Sequence, residues 1–384
     1  MLKYYFIRMV HILTLVFRIF PLNSSRILFY SFSGKEYSGS PKYISDYLVE
    51  KEENMEIIWA VNNLEKWKFL TEKGWKVIKY NSLAHLYYSA TSQFIVTNTG
   101  PYKAVRYRKN QKIINTWHGG GAYKKTGIDN PYKGKYEIMY NKFLGQAGVT
   151  LFLSSSSAFT KYVIKGAFDY KGEIAECGLP RNDIILSSGK GDSISQKVKT
   201  FFHLESSKRM ILFAPTWRNY QLNQYEKINI ELVLRASMER FGGEWVFIYR
   251  GHNLSHELEI EGTDLKCING TNYTDMQELL IAADILISDY SSCIWDFSLT
   301  RKPCFLFTPD LEEYNSKFAF YTPIESWGFD VCLTNKQLAD CIRCFSEKKY
   351  LENIERNHLL FGICETGKAT EYVCNYIKKY REFI

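Results

Sequence analysis

The stretch RILFYSFSGKEYSGSPKYISDYLVEKE, residues 26–52, joins a short apolar run to a longer segment whose apolar residues follow a helical period. The run RILFYSF has the length and composition of a buried strand. The segment PKYISDYLVEKE has apolar residues three and four positions apart, as a helix that packs on a sheet does. A strand followed by such a helix is the repeating unit of a parallel sheet, so the stretch predicts an α/β fold.

The same alternation continues along the whole chain. Further strand-like runs of the first half are EIIWAVN, WKVIKY, QFIVTN and KIINTWH, and those of the second half are RMILFAPTWR, EWVFIYRGHN, LKCING, ILISDYSS and PCFLFTP. The Gly- and Ser-rich segment 187–196 is a plausible linker between the halves. We therefore predict two doubly wound, Rossmann-like domains, at 23–190 and at 200–384 with terminal helices, that face a central cleft.

Composition and charge narrow the function classes. Of 384 residues, 46% are hydrophobic and 23% are charged, which is typical of a globular protein. The net charge of +8 suits an anionic nucleotide, a phosphorylated substrate or an acidic lipid surface. Nucleic acid is disfavoured, because no dense Lys/Arg run alternates with stacking aromatic residues.

The nine scattered cysteines indicate a reducing compartment, and Cys341 and Cys344 lack a second Cys/His pair at zinc spacing.

Residues 1–22 predict an amphipathic helix that associates with a membrane. At 100° per residue the polar side chains fall on one arc and Leu, Phe, Ile, Val and Met fill the other, until Pro21 ends the pattern. The uncharged run is too short to span a bilayer, and no small-residue cleavage site follows it. A helix packed on the body of the protein is the alternative.

The motif HGGGAYKKTG follows the strand-like run KIINTW and contains His118, Gly119, Gly120 and Gly121. Glycines at a strand end allow backbone N–H groups to approach a ligand, and a histidine there can accept a proton from an attacking hydroxyl. Lys124 and Lys125 then either screen phosphate charge or form a solvated face. The alternative for His118 is a residue that caps its own turn.

Two strand ends of the second half carry groups that suit a phosphate. FIYRGHN ends in Arg250 and His252, which can both donate to an oxygen that gains negative charge. In ADILISDYSSCIWDF, Ser291 and Ser292 precede a helix, where N–H groups and hydroxyls can bind phosphate or simply cap the helix. Asp289 cannot favour a phosphate directly, and we expect it to orient the turn or a donor hydroxyl.

Two further arginines follow strand or turn patterns and either touch ligand or lie on the surface. They are Arg218 in FAPTWRNY and Arg181 in GLPRND. The sequence contains no P-loop, dinucleotide-binding glycine motif, nucleophile elbow, zinc-protease motif or metal-binding D-x-D turn. The remaining class is a transferase that uses neither a metal nor another cofactor.

The motifs TWHGGGAYKKTG, GLPRND, FAPTWR, YRGH and ADILISDYSSCIWDF, in this order and spacing, resemble the CDP-glycerol:poly(glycerophosphate) glycerophosphotransferase family of teichoic acid synthesis. The resemblance extends from about residue 26 to 375. It implies a two-domain GT-B fold and a peripheral enzyme on the cytoplasmic face of a bacterial membrane. It also implies transfer of glycerol phosphate or ribitol phosphate from a CDP-polyol donor to a hydroxyl of a lipid-linked saccharide or polymer end, with release of CMP.

Residue by residue, the family's two essential histidines match His118 and His252. The serines of its donor-phosphate motif match Ser291 and Ser292, and the arginine of its APTWR motif matches Arg218. The resemblance therefore implies that these residues act in catalysis and in binding of the donor phosphates.

One departure from the family pattern lies directly after His118. The usual Trp-His-Gly-Thr-Pro turn has Gly120 and Gly121 in place of Thr-Pro here, which predicts a looser loop and a different acceptor. Two other functions stay open: a GT-B glycosyltransferase that uses a nucleotide sugar, and a non-enzymatic module that binds polyanions at a membrane surface. Against the glycosyltransferase, SDYSS stands where paired glutamates would contact ribose and sugar.

Overall fold

The computed structural model of the protein describes residues 2–51, 54–121, 123–216, 218, 225–251 and 267–382. Its strands in chain order are β1 Asn23–Tyr30, β2 Glu56–Val61, β3 Lys76–Lys79, β4 Ser92–Thr97, β5 Lys112–Asn115, β6 Leu151–Ser154, β7 Glu173–Glu176, β8 Arg209–Phe213, β9 Trp245–Tyr249, β10 Cys267–Asn269, β11 Ile285–Ser288, β12 Cys304–Phe307 and β13 Asp330–Cys332. Its helices are α1 Leu2–Thr14, α2 Gly39–Glu50, α3 Leu83–Thr91, α4 Lys135–Leu144, α5 Asp183–Leu186, α6 Gly191–Phe201, α7 Ile230–Phe241, α8 Met276–Ala282, α9 Cys293–Ser298, α10 Leu311–Phe318, α11 Asn335–Arg343, α12 Glu347–Phe361 and α13 Ala369–Glu382.

The described residues divide into two compact units. The first unit lies within residues 1–118, 126–183 and 364–384, and the second lies within residues 119–125 and 184–363.

The first unit is built on a parallel sheet with the strand order β3-β2-β1-β4-β5-β6-β7. Ile27 and Phe29 of β1 pack on one face of this sheet, while Leu28 and Tyr30 pack on the other. Both faces are therefore buried, as in a doubly wound fold. The direction of winding reverses between β1 and β4, and this reversal places the switch point of the sheet at their carboxyl ends.

The second unit contains a parallel sheet with the order β10-β9-β8-β11-β12-β13. Ile211, Phe247, Ile287 and Phe305 are fully buried in it. The switch point of this sheet lies between β8 and β11. The predicted α/β class with parallel sheets is confirmed.

Two segments differ from the sequence-based predictions. Helix α13, which was expected in the second half, packs on the first unit, because Val373 and Ile377 join the core cluster of Ile27 and Trp59. Helix α6 occupies most of the predicted linker, where Ile194 and Val198 are its buried residues. A Gly- and Ser-rich start does not prevent a helix when two apolar residues one turn apart can be buried.

Helix α1 and the 3-10 turn Leu15–Ile19 lie against the first unit through polar groups, through the buried Ile7 and through the ring of Phe17, whose centroid is 5.9 Å from that of Tyr87. The Nε2 atom of His11 is 2.8 Å from the carbonyl oxygen of Lys103, Thr14 is buried, and Arg108 donates to the carbonyls of Phe17 and Phe20. The large apolar side chains that point away from this contact are Met9, Ile12, Leu13, Val16 and Ile19, each at least half exposed.

None of the helices within the described residues is long and apolar enough to cross a membrane. None of the nine cysteines, which all lie in the described chain, forms a disulfide.

Candidate active site

The turn that carries His118 leaves the carboxyl end of β5, beside the switch point of the first sheet. The N–H of Trp117 donates to Oδ1 of Asn115 at 3.0 Å, and this bond folds the chain back directly after the strand. Trp117 has a φ of +51°, which costs about 1–3 kcal/mol for a side chain of this size. Its ring packs on Phe168, with centroids 4.6 Å apart. The fold thus holds a strained residue immediately before His118.

His118 is oriented by a main-chain carbonyl. Its Nδ1 lies 2.8 Å from the carbonyl oxygen of Asn98, at the end of the neighbouring strand β4. A carbonyl oxygen can only accept, so Nδ1 carries the proton and Nε2 of the neutral ring carries the lone pair. The ring lies against Trp117 and Phe32, with centroids 4.4 and 5.8 Å away, and the residue is exposed. This tautomer suits a group that accepts a proton from a substrate hydroxyl.

The glycines after His118 belong to the second unit, although sequence reasoning grouped them with His118. The anchor of this segment is Tyr123, whose ring lies 4.1 Å from Trp327 and 5.3 Å from Trp295. A Cβ on Gly121 would come within 2.7 Å of the Tyr123 ring, so this glycine is required by close packing. The expected looseness of the loop is therefore not found at Gly121. Gly119 is half-buried and Gly120 is buried.

The two lysines of this segment are also held by the second unit. The N–H of Lys125 donates to Ala319, and the ammonium of Lys124 donates to the hydroxyl of Tyr314 at 3.2 Å. Desolvation lowers the pKa of Lys124, the attraction of Asp289 opposes that shift, and the repulsion of Arg218 adds to it.

Arg218 lies at the switch point of the second sheet, at the centre of a buried charged cluster formed by Thr216, Arg218, Asp289, Tyr290 and Asp310, which we call the Arg218 cluster. Its Nε and Nη2 donate to Asp310 at 2.8 and 3.1 Å, and its Nη1 donates to Asp289 at 2.6 Å and to the carbonyl of Thr216. The side chains of Arg218, Asp289 and Asp310 are 7%, 2% and 1% exposed. Desolvation lowers the pKa of Arg218, but Asp289 and Asp310 outweigh it and raise that pKa above its usual value.

The Arg218 cluster joins the turns that follow β8, β11 and β12. Asp289 accepts from the N–H and the hydroxyl of Thr216, and the hydroxyl of Tyr290 donates to Asp310 at 3.0 Å. Asp289 thus holds the turn after β8, whereas the sequence predicts that it orients its own turn or a donor hydroxyl. Arg218 was expected to bind phosphate, but most of its donors are engaged by carboxylates in this arrangement. Its geometry is that of a residue that positions the neighbouring turns.

The other predicted phosphate-binding residues lie in different places. Arg250 follows β9 and donates from Nη1 to the carbonyl of Tyr273. Ser291 and Ser292 are half-buried at the start of α9, and the hydroxyl of Ser291 accepts from the N–H of Cys293 at 3.4 Å. Arg181 is buried in the first unit, where its N–H lies 3.4 Å from the hydroxyl of Ser40. His252 lies outside the described residues.

Sequence reasoning missed two residues at these strand ends. Asn98 is the last residue of the predicted run QFIVTN, and Asp310 directly follows the run PCFLFTP. A polar side chain directly after a buried strand was the available signal for both. Among the residues described, no group of three His, Cys, Asp or Glu side chains is arranged as around a metal ion.

Comparison with protein families gives one match that covers nearly the whole chain. The family described as CDP-Glycerol:Poly(glycerophosphate) glycerophosphotransferase matches residues 12–379.

Individual relatives agree with this match. A teichoic acid poly(glycerol phosphate) polymerase of Bacillus spizizenii (strain W23) is 30% identical over 380 residues, which cover 95% of each chain. A protein of the same name from Bacillus subtilis (strain 168) is 28% identical over 375 residues, which cover 94% of this chain and 49% of the relative. The chain therefore spans nearly all of one relative and about half the length of the other.

Among solved structures, that of the wall teichoic acid polymerase TagF is similar throughout. It superimposes with a TM-score of 0.82 at 25% sequence identity, and the match covers 99% of this chain and 96% of that one.

Proposed function

Since this chain belongs to the CDP-glycerol:poly(glycerophosphate) glycerophosphotransferase family, we propose that it transfers glycerol phosphate or ribitol phosphate from a CDP-polyol to a hydroxyl of a lipid-linked saccharide or polymer end. CMP is the second product, and teichoic acid synthesis is the process served. The observation that carries the proposal is the tautomer of His118, whose Nε2 can accept the proton of the acceptor hydroxyl.

The proposed reaction is an in-line displacement at the β-phosphorus of the donor. The acceptor oxygen forms a bond to phosphorus as its proton passes to Nε2 of His118. The bond from the β-phosphorus to the bridging oxygen breaks, and CMP leaves with that electron pair. The chemistry depends on orientation of the reacting groups and on donors that stabilise the charge of the departing phosphate.

On the donor side we assign the phosphates to Arg250, His252 and the hydroxyls of Ser291 and Ser292. Arg218 has a different task in this proposal. Because it ties together the turns after β8, β11 and β12, it fixes the backbone that carries Ser291 and Ser292. The GT-B-like pairing of two doubly wound domains also remains a prediction.

Membrane association is a further part of the proposal. His11 and the buried Ile7 face the first unit, whereas Ile12, Leu13 and Val16 are 69%, 64% and 57% exposed. A contiguous apolar surface of this kind, with Arg8 and Arg18 exposed beside it, suits a position in the interface of an acidic bilayer. The enzyme would then act as a peripheral protein beside a lipid-linked acceptor.

The proposal is tested by a donor panel with a lipid-linked acceptor. CDP-glycerol, CDP-ribitol, UDP-sugars and polyphosphate are each assayed for a thermal shift and for release of nucleoside monophosphate or diphosphate. We expect stabilisation by a CDP-polyol and release of CMP. Release of UDP from a UDP-sugar, with no turnover of either CDP-polyol, would instead favour the nucleotide-sugar glycosyltransferase. Stabilisation by polyphosphate alone, without turnover, would favour the non-enzymatic module.

A further inference from the structure

The switch point of the first sheet brings the start of α2 next to the end of β4. After β1 the chain turns through Phe32, Ser33 and Gly34, which all have positive φ, and α2 begins at Gly39 with a φ of +65°. Strand β4 pairs with β1, so Asn98, which follows β4, lies beside this turn. Ligands of doubly wound sheets bind at such a reversal, outside the carboxyl ends of the strands.

Asn98 has a buried donor directed at the start of α2. Its Oδ1 accepts from the N–H of Phe32 at 2.8 Å, which fixes the orientation of the amide and makes Nδ2 the donor end. A Cβ on Gly39 would lie 3.2 Å from Nδ2, so only a glycine leaves that side open. Asn98 is 1% exposed, and nothing in the described chain accepts a hydrogen bond from Nδ2. A buried donor in this state is unfavourable until a ligand supplies an acceptor.

The first turn of α2 presents donors to the same place. Within the described residues, the side chain of Ser38 makes no capping hydrogen bond to this turn. The hydroxyl of Ser31 donates to the carbonyl of Ser38 at 2.7 Å and so holds the entry to the helix. The N–H groups of Gly39 and Ser40, which precede Pro41, and the positive end of the twelve-residue helix then favour an anion.

Asn98 also connects this place to His118. Its main-chain carbonyl accepts a hydrogen bond from Nδ1 of His118. The main-chain N–H of Phe32 donates to the Asn98 side chain, and the ring of Phe32 packs on the ring of His118. An anion held by Nδ2 of Asn98 and the start of α2 would therefore be a neighbour of the group proposed to deprotonate the acceptor.

We propose that Nδ2 of Asn98 and the first turn of α2 form a subsite for the phosphate of the acceptor's terminal polyol-phosphate unit. The acceptor is then an anionic chain end that bears a phosphodiester or phosphate ester, in preference to a neutral saccharide. This inference rests on the proposed function and names the substrate class of the same site. Phosphate suits the subsite because it offers only acceptor oxygens and carries the charge that the helix end favours.

The test uses Asn98→Asp in the full-length protein. The new carboxylate retains an acceptor for the Phe32 N–H and the same main-chain carbonyl for His118, but it replaces the Nδ2 donor by an oxygen that repels phosphate. KM is measured for two lipid-linked acceptors, which differ only in a terminal glycerol phosphate, and for CDP-glycerol. We expect the KM of the phosphate-bearing acceptor to rise about tenfold or more, with the other two KM values unchanged. Inorganic phosphate should inhibit competitively against that acceptor and do so less well in the variant.

A matched control is Asn62→Asp, which adds the same charge directly after β2, where the amide of Asn62 donates to the carbonyl of Ser33. It should leave the ratio of the two acceptor KM values at the wild-type value. A second variant, Ser38→Asp, places a capping carboxylate at the start of α2. It should keep or raise the thermal midpoint while it raises the KM of the phosphate-bearing acceptor.

The outcomes separate this inference from the proposed function. Absence of CMP release by the wild type with either acceptor overturns the proposed function itself. Normal CMP release, together with equal effects of Asn98→Asp on both acceptors or competition of inorganic phosphate with CDP-glycerol alone, overturns the subsite. Loss of acceptor discrimination in Ser38→Asp, with its fold intact, supports it.

Discussion

The orientation of His118 depends on the backbone of Asn98 and not on its side chain. The carbonyl at position 98 fixes Nδ1 of His118, while the amide side chain at the same position holds the N–H of Phe32. Any side chain at position 98 presents that carbonyl as long as β4 keeps its register. A substitution at position 98 therefore changes the side chain but keeps the carbonyl that orients His118. The acceptor subsite can be tested in this way without disturbing the proposed base.

At the residue scale, we expect His118→Ala to abolish most turnover and to leave binding of the donor nearly intact. Loss of a general base typically lowers the rate by about 10²–10⁴-fold. In the proposed reaction His118 accepts the proton of the acceptor hydroxyl and does not bind the donor. The variant should therefore lower kcat without a matching loss of affinity for CDP-glycerol. CMP release and calorimetric titration with CDP-glycerol measure the two quantities.

The control for this variant is His203→Ala, at an exposed histidine of the second unit. It should change neither quantity. Weakened donor binding by His118→Ala, with normal turnover of the complex that still forms, would exclude the role as base.

Arg218 shows why the role of a site residue cannot be predicted from local sequence alone. Its charge and its position after a strand are visible in FAPTWR, and they favour an anion ligand. The partners that occupy it, Asp289 and Asp310, lie 71 and 92 residues further along the chain. Only the pairing of β8 with β11, and of β11 with β12, brings these carboxylates to the guanidinium.

At the scale of elements, long strand-like runs were predicted, whereas the short β6, with the fully buried sequence LFLS, was missed. Strands β1, β2 and β4 have long apolar runs and were predicted directly from them. Strand β7, with the sequence EIAE, has one buried residue, and its place at the edge of the sheet depends on pairing with β6. No local signal exists for such a strand. The place of α13 likewise depends on which core its apolar side chains fill, and a helical period does not specify that.

Helix α1 packs on the protein, and its association with a membrane remains a prediction. It packs on the protein through His11 and the buried Ile7, and it leaves Ile12, Leu13 and, in the following turn, Val16 outside. An amphipathic helix that packs only for stability has the opposite orientation, with the apolar face buried. The exposed apolar side chains of α1 would be stabilised by the hydrocarbon of a membrane, as the proposed membrane association requires.

We therefore expect Ile12→Ser/Val16→Ser to weaken flotation with liposomes that contain acidic lipid. Each fully buried aliphatic side chain contributes about 1.5–3 kcal/mol, so two such changes should reduce partitioning at least about tenfold. The control is Leu359→Ser/Leu360→Ser on α12, which removes side chains that are 83% and 66% exposed in the second unit. Equal flotation of both variants would contradict the assignment of α1.

At the scale of the whole molecule, burial favours the neutral state of one histidine in each unit among the residues that the structure describes. His85 of the first unit is fully buried between Tyr80 and Tyr102, and burial lowers its pKa to about 3. His358 of the second unit bonds the hydroxyl of Ser298, and burial, followed by repulsion from Arg301, lowers its pKa to about 4. Both rings have an ordinary pKa of about 6.5 in the unfolded chain.

The unfolded chain therefore binds more protons than the folded protein between about pH 6.5 and pH 3–4. The free energy of unfolding contributed by this difference is fully present above pH 6.5 and falls as the pH is lowered through that window. For His85 alone the loss at pH 5 is about 2 kcal/mol. We expect the midpoint of urea unfolding to decrease steadily from pH 7 to pH 5.

The variant His85→Gln tests whether His85 causes the predicted fall in the urea midpoint between pH 7 and pH 5. Glutamine cannot take up a proton, so the variant should lose stability at pH 7, where the packing around Tyr80 and Tyr102 is disturbed, but should lose less between pH 7 and pH 5. Because His358 still titrates, a residual slope is expected in His85→Gln, and only the double variant His85→Gln/His358→Gln should approach the slope set by the carboxylates. Parallel curves for the wild type and His85→Gln would show that His85 is accessible to protons in the folded protein.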